Sequence, residues 1–557
     1  MNSVYSPKFQ QLKVEPILFS ADLFRKASVS LFVLLAIFIA LTFRQHGISN
    51  DEEVQHIYGR LLLQFYSSGF ADQSAFQYKN LYLYGGFFDL VAAGLEKVVP
   101  IWVWDMRHLL SAMFGFAGIV AAYKIARVLG GERAGFITVV LLAITGAWSG
   151  AMFTHTKDVP FATCMTWALY YTMLIAQRLP KPSLSLSIKL GLAVGGALGL
   201  RIGGVFAVIY LCIMIVIAAW HYSGNVRSGL QFCLQSAISL VPAALVAFAL
   251  MALFWPWGVM SPSHPLEAAH AFSHFAFNML TIMDGEVVSI GNVSRTYLLE
   301  YLLVRLPEIV LLGFASLIVL GIANFNQLKP GNVSPERLPV LLAWLSVIVA
   351  TLFPLAFVLW DDPALYNGVR HFTFVIPPII VLAALGLHFS WSALQAYRKT
   401  RLGFIFLNVV LIAITCVTLV RLHPYEYIYY NHFAGNIVEA EKDWEADYWS
   451  SSLREASDIL EAKISENQEV KHVGPYLVAV CAESIQGAAY LDKRFMVTKD
   501  WVAADFYIAT TNMHCDQVLQ GEVIGTIKRM DATLAVIKDR RKLTGLERRP
   551  MPAPAKS

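Results

Sequence analysis

Residues 27–56 read ASVSLFVLLAIFIALTFRQHGISNDEEVQH, and the reading of the whole chain turns on them. The first part, 27–43, is apolar and as a helix is long enough to cross a hydrocarbon core about 30 Å thick. Arg25 and Lys26 precede it and no small-residue cleavage site follows, so the run reads as a retained signal anchor. Directly after it stands Asn50-Asp51-Glu52-Glu53-Val54-Gln55-His56. Three consecutive carboxylates at the mouth of a membrane helix are costly unless they are solvated or used.

Working outward, apolar stretches of this kind recur as far as Val420. Of the 557 residues, 57% are hydrophobic and 15% charged, against about 25% charged in soluble proteins. In lipid the backbone must satisfy its own hydrogen bonds, so such stretches are helices. The expected crossings are 27–43, 105–126, 134–150, 159–177, 187–200, 202–220, 232–254, 302–323, 338–358, 373–390 and 403–421. The fold class is therefore an all-α polytopic membrane protein with about eleven transmembrane helices. A formal charge of +4, with no basic run interleaved by aromatics, offers nothing to nucleic acid. The fifth crossing is short and thinned by Gly191, Gly195, Gly196 and Gly199. Close helix packing explains such glycines, and so does a break near Arg201 that turns backbone toward a cavity.

Cations in the short loops set the orientation. With residues 1–26 cytoplasmic, one side carries Lys8, Lys13, Arg25, Lys26, Arg127, Arg133, Arg178, Lys181, Arg227, Lys329, Arg337, Arg398, Lys399 and Arg401. The transmembrane domain then spans 27–422, with long outer segments at 44–104 and 255–301. In the first of these, Glu53–Tyr66 and Tyr84–Val98 read as amphipathic interfacial helices. Residues 423–548 form an extracytoplasmic α/β domain, with a helix over Ser452–Ile464 and strands at His472–Val480, Asp505–Thr510, Glu522–Ile527 and Ala532–Ile537. Residues 549–557 read as a disordered tail. Cys481 and Cys515 can form one disulfide if this part lies outside the cytoplasm.

Under this topology five polar constellations share the outer face. The first is the Asp51 cluster, whose acids either cap a helix or act as base or metal ligand. The second is His155-Thr156-Lys157-Asp158-Val159-Pro160-Phe161. Capping accounts for Asp158 but for neither Lys157 nor His155. Arg201 among its glycines is the third, and Tyr366-Asn367-Gly368-Val369-Arg370-His371 the fourth. The Arg370 fork suits a phosphate oxygen pair, and His371 adds a donor. The fifth, His423-Pro424-Tyr425-Glu426-Tyr427-Ile428-Tyr429-Tyr430-Asn431, is either an interfacial tyrosine belt or the lining of a sugar site. Carboxylates beside Lys, Arg and His at an interface suit a reaction on a lipid-linked phosphate.

At Asp51-Glu52, Lys157 to Phe161, Arg370-His371, His423 to Asn431 and Asp447-Tyr448-Trp449 the sequence resembles the GT-C superfamily of membrane glycosyltransferases. Its protein O-mannosyltransferase and aminoarabinose transferase branch is the most similar. The resemblance spans residues 30–450. It implies transfer of one sugar, with inversion, from a polyprenyl-phosphate donor to an acceptor (protein, lipid or glycan) on the extracytoplasmic side, the periplasm for a bacterial inner membrane. It casts Asp51 as base, with Glu52 and Asp158 catalytic beside it. It also casts Lys157, Arg201, Arg370 and His371 as holding the donor phosphate, and His155, Tyr425, Tyr429, Tyr430 and Asn431 as contacting substrate. A divalent metal, Mg or Mn, stays open, because the carboxylates show no diagnostic spacing. A transporter or flippase of a lipid-linked or anionic substrate is the alternative, although its charges would sit nearer the midplane. A receptor using the C-terminal domain leaves the Asp-Glu and Lys-Asp loops unexplained.

Overall fold

The computed structural model describes residues 20–273, 279–323, 336–466 and 474–551. Lys8, Lys13, Lys329 and the tail beyond Met551 lie outside the described residues, as does most of the expected cytoplasmic segment 1–26. Among the described residues eight helices are long and apolar enough to cross a membrane, or nine if a bent pair counts as one span. The expected eleven exceed this number for two physical reasons. Val103–Ala143 is one helical run broken at Gly131, whose φ of 75° lies in the region that favours glycine. The chain doubles back there. Gly135 packs on Tyr123 and Arg127, and the Trp148 indole donates to the Gly115 carbonyl at 3.3 Å. The two arms correspond to the expected crossings 105–126 and 134–150. The other case is Leu184–Leu198, apolar but shorter than a full crossing.

That short helix stops where the glycines are. Arg201 is extended (φ −149°, ψ 144°), and the carbonyls of Gly199 and Leu200 accept from the N–H groups of Phe87 and Gly85 at 3.0 and 3.2 Å. Gly85 is required at this contact, because a Cβ would stand 2.1 Å from the Gly199 oxygen. The expected crossing 302–323 is likewise bent, with Tyr297–Arg305 and Glu308–Ala323 meeting at 113°.

The two ends of the bundle differ in chemistry. At one end Phe24 meets Phe136 (ring centroids 5.8 Å apart), and Arg133 donates to His388 Nδ1 and Ser392 Oγ at 3.0 and 2.5 Å. At the other, Glu52–Ser67 and Phe87–Glu96 form the expected amphipathic helices. The second outer segment contributes a hairpin of β1 (Leu280–Met283) and β2 (Glu286–Ser289), closed by Asp284-Gly285 with both φ values positive.

The C-terminal sheet comprises β3 (Tyr476–Cys481), β4 (Phe495–Val497), β5 (Phe506–Thr510), β6 (Glu522–Arg529) and β7 (Ala532–Asp539) in the order β4-β3-β5-β7-β6. β3 is parallel to β4 and β5, and the remaining pairs are antiparallel. The helix Leu453–Glu466 covers the sheet, and Cys481 is disulfide-bonded to Cys515 with Cα atoms 6.2 Å apart. The protein is thus a polytopic helical membrane protein with a C-terminal α/β domain. Residues 425–452, ahead of its first helix, pack against both this domain and the membrane part, as the Tyr425–Glu455 hydrogen bond and the Tyr427–His155 ring contact at 5.8 Å show.

Candidate active site

Asp51 immediately precedes the helix Glu52–Ser67 but makes no side-chain cap. Its Oδ2 instead accepts from Arg370 Nη2 at 3.0 Å, and its side chain is 41% exposed, so it is the carboxylate that reaches the opening. Asp158, in the first turn of Asp158–Ala176, is buried. Its carboxylate pairs with Arg201 on one oxygen, while the other lies 3.8 Å from Arg370 Nε. The Lys157 ammonium lies 3.9 Å from the centre of the Tyr84 ring, which Arg201 also approaches at 5.7 Å. Burial lowers the Lys157 pKa to about 8.

Asp51, His155, Lys157, Asp158, Arg201 and Trp449 line one narrow cavity together with Ser49, Gln55, Thr154 and Thr156. Arg370 lies behind this lining, paired with Asp51 and with its guanidinium over the rings of Trp449 at 4.4 Å and Tyr366 at 5.0 Å. The Nε–H groups of Arg201 and Arg370 are buried without a hydrogen-bond acceptor among the described residues. An unsatisfied guanidinium donor on Arg201, which lines the cavity, with a second on Arg370 beside it, fits an anion. His155 Nε2 accepts from Trp449 Nε1 at 2.9 Å and lies 2.8 Å from Tyr448 Oη. Burial holds this imidazole well below its ordinary pKa, hence neutral.

Other expected site residues sit elsewhere. Glu52 is fully buried behind Asp51, accepting from Ser49 N–H at 2.7 Å with His108 Nε2 at 3.1 Å and Arg107 Nε at 3.9 Å. Its carboxylate does not line the cavity, because these partners turn it into the bundle. His371 packs edge-on against Tyr366, with ring centroids 4.6 Å apart. The tyrosine run does not line this cavity either. Tyr425 donates to Glu455, Tyr430 donates to the Glu445 carbonyl, and Asn431 donates to the carbonyls of Leu303 and Leu306. Tyr429 Oη lies 3.5 Å from Glu308. All four side chains are buried where the membrane bundle meets the C-terminal part.

Sequence reasoning missed Tyr84, Gln55, Asp89 and Arg107. Arg107 donates to Asp89 at 2.9 Å, and Thr156 Oγ1 donates to Gln55 at 2.7 Å. The signal available was an Asp and an Arg inside otherwise apolar helices. The donor set does not suit a divalent metal. Asp51 and Asp158 are already engaged by guanidinium groups, three cations crowd the cavity, and no group of three His, Cys, Asp or Glu converges among the described residues.

Fold and site together define a polytopic membrane protein with a charged, aromatic-walled cavity at one end of its bundle. Residues 103–257, which include the Lys157-Asp158 loop and Arg201, match the family model described as dolichyl-phosphate-mannose-protein mannosyltransferase. This agrees with the GT-C resemblance read from the loops. No curated protein matches the chain. Among solved structures, ArnT from Cupriavidus metallidurans bound to undecaprenyl phosphate aligns at 14% identity over 91% of this chain and 97% of its own, with a TM-score of 0.48. The oligosaccharyltransferase of Archaeoglobus fulgidus aligns at 13% identity over 87% of this chain and 69% of its own, with a TM-score of 0.45. The S. cerevisiae protein O-mannosyltransferase Pmt1–Pmt2 complex aligns at 15% identity over 46% and 36%, with a TM-score of 0.32.

Proposed function

We propose that the protein is an integral membrane glycosyltransferase that moves a sugar from a polyprenyl-phosphate donor to an acceptor hydroxyl. The observation that carries this reading is the cavity itself, in which Asp51 stands at the opening, Lys157 and Arg201 line the wall and Arg370 pairs with Asp51 from behind. Asp51 takes the acceptor proton as the acceptor oxygen attacks the anomeric carbon. The bond from that carbon to the phosphate oxygen breaks, and the phosphate leaves with the electron pair. Attack opposite the leaving group inverts the anomeric centre through an oxocarbenium-like transition state. The three cations stabilise the departing phosphate, a task that preorganised charge performs well. Asp158 orients Arg201 and Arg370.

The cavity faces the extracytoplasmic side, the periplasm in a bacterial inner membrane. Two features support that side: the Cys481–Cys515 disulfide, which belongs to an oxidising compartment, and the placement of Arg127, Arg133 and Arg178 at the opposite end. The deciding experiment is transfer of labelled sugar from a polyprenyl-phosphate donor by purified protein in lipid, beside Asp51→Asn. Transfer by the wild type that collapses in the folded variant supports the reading. A donor that binds and crosses the bilayer of proteoliposomes without ever being turned over replaces it with a transporter.

A further inference from the structure

Gln486 lies far from the cavity in sequence, on the short helix Ile485–Ala488 that follows β3 in the C-terminal domain, and it is 1% exposed. Its amide is fully engaged. Nε2 donates to the carbonyl of Ile48 at 2.6 Å and to that of Trp449 at 2.8 Å, while Oε1 accepts from the N–H of Glu483 at 3.2 Å. Ile48 belongs to the irregular segment that leads into Asp51, and the Trp449 ring carries the Arg370 guanidinium. One buried side chain therefore ties together the backbones on which both halves of the Asp51–Arg370 pair depend.

The segment before Asp51 has no ladder of its own and draws its partners from the same side. Ile48 N–H donates to Tyr490 Oη at 2.9 Å, Asn50 Nδ2 donates to the Tyr448 carbonyl at 3.1 Å, and Arg454 donates to the His46 carbonyl at 3.0 Å. Gly47 packs so closely on Ser451 that a Cβ would stand 2.2 Å from the Ser451 oxygen. Among these contacts the Gln486 amide is the one that, from the C-terminal domain, bonds both the segment before Asp51 and the Trp449 backbone. We infer that Gln486 is a positioning residue, through which the C-terminal domain sets the spacing of Asp51 and Arg370 for sugar transfer. The inference rests on the transferase reading. A displacement of about 1 Å at reacting groups costs on the order of 100-fold in rate, so losing this staple acts on turnover without touching a reacting atom.

The test uses the full-length protein in lipid nanodiscs, comparing wild type with Gln486→Leu, which keeps the volume and removes both donors. Gln486→Met, unbranched and of similar length, serves if the leucine variant does not fold. Hydrogen exchange of the peptide covering residues 44–56 is expected to lose at least tenfold protection while the unfolding temperature of the bundle stays close to wild type. Transfer is expected to fall about 100-fold in kcat, more than KM for the donor rises. Unchanged protection of 44–56 in a folded variant overturns the inference, and so does lost protection with wild-type kcat, because a packing role alone predicts lower stability and normal turnover. Should the wild type transfer nothing, the transferase reading fails on its own. Exchange of 44–56 and affinity for undecaprenyl phosphate then decide separately: both must worsen in the variant for Gln486 to hold the site together.

Discussion

Arg370 and Asp51, 319 residues apart in sequence, meet at 3.0 Å between Nη2 and Oδ2. The same guanidinium places its Nε 3.8 Å from Asp158, so one planar group spaces two carboxylates. A lysine ammonium cannot do this, because it is a single point charge on a flexible stem.

Arg370→Lys keeps the charge but loses the second contact, whereas Arg370→Ala loses both. We expect transfer to fall at least 100-fold in Arg370→Ala, the scale of removing a preorganised donor from a developing negative charge, and less in Arg370→Lys. Initial rates at saturating and limiting donor give both effects. Equal activity of the two variants would mean that charge alone matters and the fork does not.

Lys157 supplies a pH dependence with a definite sign. Burial disfavours the ammonium, and its pKa falls to about 8, so the cation is present below that pH and lost as pH rises through it. A bound phosphate favours the ammonium and raises that pKa again. Affinity for undecaprenyl phosphate is therefore expected to fall above about pH 8, by up to tenfold per pH unit. The lipid phosphate completes its own ionisation near pH 6, outside this window. Lys157→Gln is expected to bind more weakly and with a flat alkaline limb. A wild-type profile flat from about pH 7 to 9.5 would remove Lys157 from the phosphate site.

The parts of this architecture written locally in the chain were legible in it. Apolar runs announce membrane helices, and acids, Lys and Arg at their mouths announce a site because charge is costly there. Both open readings of the glycines hold in part: Gly191 and Gly195 pack closely on Ala243 and Ala247, and the helix breaks before Arg201, where the Gly199 and Leu200 carbonyls meet Phe87 and Gly85 N–H rather than a cavity. What the sequence does not encode locally is which way a carboxylate turns. Asp51 and Glu52 are neighbours with the same chemistry, yet one faces the opening and the other Arg107 and His108, a choice made by helix packing. The tyrosine run was ambiguous for a related reason, since aromatic rings suit a sugar and a domain junction equally well.

Arg107 is central to the layer behind the cavity. It is fully buried between Asp89, on Nη2 at 2.9 Å, and Glu52, with Nε at 3.9 Å. Burial chiefly raises the Asp89 pKa, with the Glu52 charge adding to it and the charge of Arg107 opposing it. Arg107→Met leaves two buried carboxylates facing each other without their cation. Breaking a buried pair in this way costs about 3–5 kcal/mol. We expect a lower unfolding temperature in detergent and poor recovery of folded protein. The double variant Arg107→Met/Asp89→Leu should recover part of the loss, and a single variant as stable as wild type would show that the network is solvated in the membrane-embedded protein.

Asn431 was expected to contact a sugar, and its geometry now predicts a different phenotype. Its Nδ2 donates to the carbonyls of Leu303 and Leu306 at 2.6 and 2.9 Å, where Tyr297–Arg305 bends into Glu308–Ala323, and its Oδ1 accepts from Ala434 N–H at 3.2 Å. A sharp bend frees carbonyls that a helix would otherwise satisfy, and here one amide covers two of them. Asn431→Ala leaves both buried, at about 1–3 kcal/mol each, so unfolding temperature should fall while kcat and KM of the surviving folded protein stay near wild type. The opposite result, normal stability with a raised donor or acceptor KM, would return Asn431 to the substrate site and require the bend to open during turnover.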